Sequence, residues 1–179
     1  VLHHHELTYA IAAPAELLGG PRATYLTINR ALVAGLARLG VDARLAGDHA
    51  TSPSPHSLNP CFQEPAAGEV IAGDAKLVGS AQRCERRTLL QHGSILVDGE
   101  QASLVAYQMT PVTPTSGGIT LRSLLGMVPA MDALTGAIVS GFEDVLGTPL
   151  APVMLQDVER MGAEMLEQQY DSHAWTWRR

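Results

Sequence analysis

The sequence predicts an α+β domain, a mainly antiparallel sheet with helices packed on it. Two observations carry that expectation. Short runs of strand character, split by turn residues, fill roughly the first hundred positions, and long apolar patterns of helical period fill the end, with one such pattern inserted early. A chain of 179 residues, 46% hydrophobic and 17% charged, can bury one core but not two ordinary ones, so residues 1–179 are expected to form a single domain.

The elements follow in order. Glu6 to Ala12 is short, partly β-branched and closed by Pro14, which reads as a strand. After Gly19-Gly20-Pro21, the apolar positions Tyr25, Ile28, Leu32, Leu36 and Leu39 recur at three and four residues and stop at Gly40, as an amphipathic helix does. Val41 to Ala46 reads as a short strand, and residues 47–60, rich in Pro and Ser, read as a loop leading to Cys61. Three further strand runs, Glu69 to Ala72, Lys76 to Arg83 and Leu89 to Val97, are separated by Gly73-Asp74 and by Glu85-Arg86-Arg87, an antiparallel meander. Residues 109–118, rich in Thr, Pro, Ser and Gly, read as a flexible connector. Beyond it, Met131, Leu134, Ile138, Phe142 and Val145 mark a helix ending at Gly147. A last helix is expected over residues 153–170, with Val158, Met161, Met165 and Leu166 as its core side.

Charge and composition exclude several function classes. A net charge of -6 and a pI near 5.6 offer no general attraction to nucleic acid or to an anionic membrane surface. No apolar run reaches the roughly 18 to 20 residues that span a bilayer, and no signal-peptide pattern opens the chain, so a cytoplasmic setting is expected. Cys61 and Cys84 are too few for a disulfide framework and have no zinc-knuckle spacing. Cys84, among Arg83, Glu85, Arg86 and Arg87, reads as incidental. The triplet His3-His4-His5 invites a metal reading, but neighbouring side chains on a strand diverge, and no metal is expected. The paired Trp175 and Trp177 read as packing anchors. The chain opens at Val1 on a strand-like sequence, so an upstream portion is expected to precede it.

Three stretches carry a resemblance. The opening Val1-Leu2-His3-His4-His5-Glu6-Leu7-Thr8-Tyr9, the block running from Asn59-Pro60-Cys61-Phe62 through Gly68-Glu69-Val70, Lys76-Leu77-Val78-Gly79-Ser80-Ala81-Gln82-Arg83 and Leu90-Gln91-His92-Gly93-Ser94-Ile95-Leu96, and the tail from Tyr170 to Arg179 follow one order. Together they resemble the biotin and lipoate protein ligase superfamily, in its branch of lipoate-protein ligases and octanoyltransferases. The resemblance covers nearly the whole chain, although residues 98–130 carry no recognisable word. An Arg-Arg-x-Thr-Gly-Gly half that precedes the opening word in the family is absent, so residues 1–179 alone are expected to be weakly active or inactive. The turn Gly73-Asp74-Ala75 also departs from the family's Gly-Arg or Gly-Lys before the lysine.

The resemblance implies a family sheet with an acyl tunnel and a chemistry. Cys61 stands where octanoyltransferases have their nucleophile. A thiolate can take an octanoyl group from acyl carrier protein by near-isoenergetic thioester exchange and pass it to a lysine amine. A free thiol ionises near pH 8.5, so a cationic or basic neighbour is needed, and Lys76 of the Lys-x-x-Gly-Ser-Ala word fills that place. Burial there would disfavour the lysine's charge, fitting it to act as base or to hold the acyl carbonyl. Gly79 and Ser80 would offer backbone N–H groups to the acyl oxygen. His3, Tyr9, Ala81 and His92 are carried over as further substrate-binding candidates, with a satisfied strand histidine as the alternative for His92.

The implied function is octanoyl or lipoyl transfer from octanoyl-acyl carrier protein to a lipoyl-domain protein, either glycine cleavage H protein or a 2-oxoacid dehydrogenase subunit, by a monomer without cofactors. Two other readings compete. An ATP-dependent lipoate ligase would need ATP and Mg and use Lys76 without Cys61, and a non-catalytic homologue would bind acyl chains or lipoyl domains without turnover.

Overall fold

The computed structural model describes residues 4–47, 62, 64–99, 118–154 and 156–177. Contacts divide the chain into two compact units, Val1–Pro149 and Leu150–Arg179. Among its described residues the first holds one five-stranded antiparallel sheet. It is built from β1 (Glu6–Pro14), β2 (Ala43–Leu45), β3 (Val70–Ala72), β4 (Ala75–Glu85) and β5 (Thr88–Leu96), in the spatial order β1-β5-β4-β3-β2. β3, β4 and β5 make the expected three-strand meander, β2 extends it by pairing with β3, and β1 adds to the far side of β5, with Tyr9 opposite Gly93. β1 runs two residues further than expected, to Pro14. As an outer strand it needs no donor on its open side, which is where a proline is tolerated.

α1 (Pro21–Arg38) starts on a proline, whose missing N–H has no partner at a first turn anyway. Gly40, at φ +81°, turns the chain out of it toward β2. The buried stripe Ile28, Leu32 and Leu36 joins Val70, Val78, Ile95, Leu134 and Ile138 in one core. Two more helices belong to this unit: α2 (Leu121–Leu125), capped by the Thr120 hydroxyl on the Ser123 N–H, and α3 (Met131–Leu146), ended by Gly147 at φ +65°. α1 and α3 meet at Gly35 and Gly141. A Cβ on Gly141 would collide with the Gly35 nitrogen and the Ala31 carbonyl oxygen, so the two helices touch backbone to backbone. α2 carries Leu121, fully buried, in a stretch where the sequence offered no word.

Burial along β5 alternates from Thr88 to Gly93 and then becomes continuous through Leu96. Side chains on a strand point alternately to the two faces, so the sheet is covered on one face at its first half and on both at its second.

The second unit contains α4 (Asp157–Asp171) and α5 (His173–Thr176). α4 begins four residues later than expected. Glu159 reaches back to accept the Gln156 N–H at 2.7 Å, and this box sets the start. Of the expected core side, Met161, Met165 and Leu166 are exposed, and the Val158 side chain lies outside the description; among the described residues of this unit the only other helix is the short α5, which offers little surface to cover an apolar stripe. Trp175 stacks edge-on to Tyr170 at 4.7 Å, whereas Trp177 is exposed. Among the described residues, no helix is long and apolar enough to cross a membrane.

Candidate active site

The site is built around Lys76. The short β3 pairs with the start of β4 through an irregular register between Val70 and Ile71, and Lys76 lies in that stretch. Its ammonium is buried to 6% exposure and sits 2.8 Å from the carboxylate of Glu69, equally buried. The Phe62 ring centroid lies 5.4 Å from Nζ, within the range of cation–π attraction. Glu69 Oε2 also accepts the Ala66 N–H at 2.8 Å. Two charges withdrawn from water hold only when paired and hydrogen-bonded, and this pair satisfies both conditions.

Gly79 lies beside it. A Cβ there would stand 3.1 Å from Phe62 Cζ and 3.4 Å from Lys76 Cε, so the missing side chain leaves room where the aromatic ring and the lysine stem converge. Ser80 turns to a second, uncharged cluster. Its hydroxyl is 2.7 Å from the Tyr9 hydroxyl and donates to Asn29 Oδ1 at 3.3 Å, leaving Tyr9 to donate to Ser80. Gln91 Nε2 donates to both the Tyr9 hydroxyl and Asn29 Oδ1 at 3.2 Å, and Asn29 Nδ2 closes the chain on the Gly68 carbonyl at 2.8 Å. Gly68 and Glu69 are consecutive, so one peptide segment serves both the neutral cluster and the ion pair.

Two tyrosines titrate high here. Burial raises the Tyr9 hydroxyl, against the opposing bonds from Ser80 and Gln91, with the Glu69 charge adding to the rise. Burial first and the Glu69 charge second push Tyr25, on α1, up to about 12. Both are therefore neutral donors at physiological pH. An open groove of about 490 Å³, lined by Arg22, Tyr25, Ala66, Ala67 and Gln82, adjoins the cluster, where Gln82 donates to Gln91 at 3.2 Å. At the Gly73-Asp74 turn a basic contact comes from Arg44, which donates to the Gly73 carbonyl at 2.9 Å.

Of the candidates read from the sequence, Lys76, Gly79, Ser80 and Tyr9 converge. Ala81 and His92 oppose each other across β4 and β5, both exposed, on the face opposite Ser80. Cys61 and His3 lie outside the described residues, as does nearly all of the 109–118 connector. Cys84 is a free, exposed thiol. Among the described residues, no group of three or more His, Cys, Asp or Glu side chains could hold a metal.

Sequence reading passed over Glu69, Asn29, Gln91 and Tyr25 as site residues. Signals for two of them existed. Asn29 is a polar residue four positions after Tyr25, beside the apolar stripe of α1, and Gln91 occupies a buried position between Leu89 and Gly93. Lys76 carries a third signal: it is the only lysine in the sequence.

Known proteins agree with this architecture. The family model described as the lipoyl protein ligase A/B catalytic domain matches residues 1–143. Octanoyltransferase LipM of Kyrpidia tusciae is 34% identical over 197 residues, covering all of this chain and 71% of that protein. Octanoyltransferase LipM of Bacillus subtilis is 29% identical over 196 residues, with 70% of its length covered. Among solved structures, lipoate-protein ligase A bound with ATP superposes with a TM-score of 0.71 at 19% identity, over 96% of this chain and 64% of that one. The bi-partite lipoate protein ligase of Thermoplasma acidophilum, solved in a study of that ligase and its E2 lipoyl domain, gives 0.64 at 19% identity over 96% and 63%. The chain thus spans a little under two thirds of those solved ligases, and at such identities they speak for the fold. The match over residues 1–143 and the 34% identity settle kinship: this chain is a catalytic domain of the lipoyl protein ligase A/B family.

Proposed function

We propose that the protein moves an octanoyl or lipoyl group from acyl carrier protein, through a thioester on Cys61, to a lysine of a lipoyl-domain protein. The names of its 26–34% identical relatives support octanoyl transfer as the activity. The observation that carries the mechanism is the buried Lys76 cation held against Phe62, the residue that follows Cys61 in the chain. In the first step the Cys61 thiolate attacks the carrier's thioester; a new C–S bond forms, the old one breaks and the carrier thiol leaves. In the second the acceptor amine attacks, a C–N bond replaces the C–S bond, and the amine's proton leaves as the thiolate is released. A buried ammonium favours both steps by stabilising the thiolate and the oxyanion of each tetrahedral intermediate.

The acyl group arrives activated, so the reaction needs no cofactor. Tyr25, a neutral hydroxyl in the lining of the adjoining groove, gives the acyl carbonyl or the incoming lysine a polar contact. A monomer in the cytoplasm, where acyl carrier protein and the lipoyl domains of H protein or 2-oxoacid dehydrogenases are found, fits this chemistry. The test is intact mass after incubation with octanoyl-acyl carrier protein. The protein gains one octanoyl group that hydroxylamine removes, and Cys61→Ser gains none. Unimpaired transfer by Cys61→Ser rejects the thioester route, and transfer that requires ATP and free acid assigns the ligase reaction instead.

A further inference from the structure

An enzyme that delivers acyl groups to lysine amines faces a hazard from its own lysines. Of the 12 basic Lys and Arg side chains in this sequence, eleven are arginine, which stays charged and does not take up acyl groups at neutral pH. The single exception, Lys76, lies in the site, buried, with the Glu69 carboxylate at 2.8 Å. Glu69 itself is held from two directions: its carboxylate takes the Ala66 N–H, and the peptide before it is fastened through the Gly68 carbonyl to Asn29.

We propose that Glu69 is a positioning residue that keeps Lys76 an ammonium, so that the only lysine in the sequence assists acyl transfer without being acylated itself. This rests on the octanoyl-transfer reading. A neutral Lys76 amine beside a thioester would attack it: the C–N bond forms, the C–S bond breaks, the amine's proton leaves with the thiolate, and the enzyme ends as a stable amide. An ammonium has no lone pair with which to begin. Among the described residues, Tyr9 on β1 and Tyr25 on α1 are the ionisable groups that feel Glu69 besides Lys76. Both feel the Glu69 charge and both stay protonated, so Glu69 is the one anion among the described residues facing the lysine.

The experiment exposes the protein to a small octanoyl thioester, octanoyl-N-acetylcysteamine, and follows Lys76 by peptide mass. Wild type and Glu69→Asp, which keeps a carboxylate, retain an unacylated Lys76. Glu69→Gln becomes octanoylated there about tenfold faster or more, because the buried amine loses the carboxylate that favours its charged form. Because there is one lysine, ¹⁵N-lysine labelling gives one side-chain resonance, which in wild type reports an ammonium at neutral pH. Equal acylation of wild type and Glu69→Gln overturns the proposal. So does a neutral amine in the wild-type spectrum, a result that needs no variant to fold. Transfer to a lipoyl domain is measured alongside: its absence in wild type sinks the functional reading, whereas the lysine resonance and its acylation speak to Glu69 alone.

Discussion

The two polar clusters of the site hold the same stretch of chain by opposite means. Lys76 and Glu69 bury a full charge each, while Tyr9, Ser80, Asn29 and Gln91 bury none. Removing charges from water costs several kcal/mol per ion, and an apolar pair of similar volume is often as stable or more so. A neutral chain of hydrogen bonds contributes about 1 kcal/mol per bond and mainly fixes geometry. The difference sets two expectations that can be separated by experiment: under the proposed function the ion pair serves the chemistry and the neutral cluster the placement of the chain.

Lys76→Met breaks the comparison most sharply. It leaves the Glu69 carboxylate buried without its ammonium, and is expected to abolish octanoyl transfer and to lower stability by about 3–5 kcal/mol in urea unfolding. Adding Glu69→Leu to it should restore most of that stability and none of the activity. A double variant as unstable as the single one would mean that the pair is structural after all.

Gly93→Ala strikes the seam of the neutral cluster. Its Cβ would collide with the Gly79 carbonyl oxygen and come 2.7 Å from Tyr9 Cε1, so a loss of about 1–3 kcal/mol is expected, read as a lower melting temperature. Tyr9→Phe removes one hydroxyl and deprives Ser80 and Gln91 of a partner, for about 1–2 kcal/mol and a smaller loss of turnover than at Lys76.

Alkaline unfolding isolates the tyrosines. The unfolded chain releases the Tyr25 proton near pH 10, the folded protein only at about 12, so between those values the folded state holds more protons and stability falls as pH rises. Tyr25→Phe should flatten that descent in unfolding curves recorded across the same range. The smallest effect belongs to Arg38→Ala: its contact with Asp144, at 2.6 Å between α1 and α3, is half-exposed on both sides and is expected to change stability by less than about 1 kcal/mol.

Much of this architecture was legible. The three-strand meander, α1 with its stop at Gly40 and α3 with its stop at Gly147 follow from period and punctuation, since each helix has an apolar stripe and a glycine at positive φ. Lys76, Gly79 and Ser80 were legible as a word. Their partners were not. Glu69 meets Lys76 only because β3 turns back onto β4 with a slipped register, and Asn29 meets Gln91 across 62 positions of sequence. Such meetings are set by strand pairing and by the packing of α1 on the sheet, which no local pattern encodes. α4 failed in the reverse sense: its apolar stripe predicted burial, and the surface needed to bury it is not in its own unit.

The glycine crossing of α1 and α3 reaches further than packing. Where Gly35 and Gly141 meet backbone to backbone there is no soft side chain to absorb a displacement, and α1 carries Asn29, the anchor of the peptide that aims Glu69. A methyl group introduced at residue 141 would thus tilt a lever whose far arm ends at the buried ion pair, and the chain would lose aim while still keeping its shape.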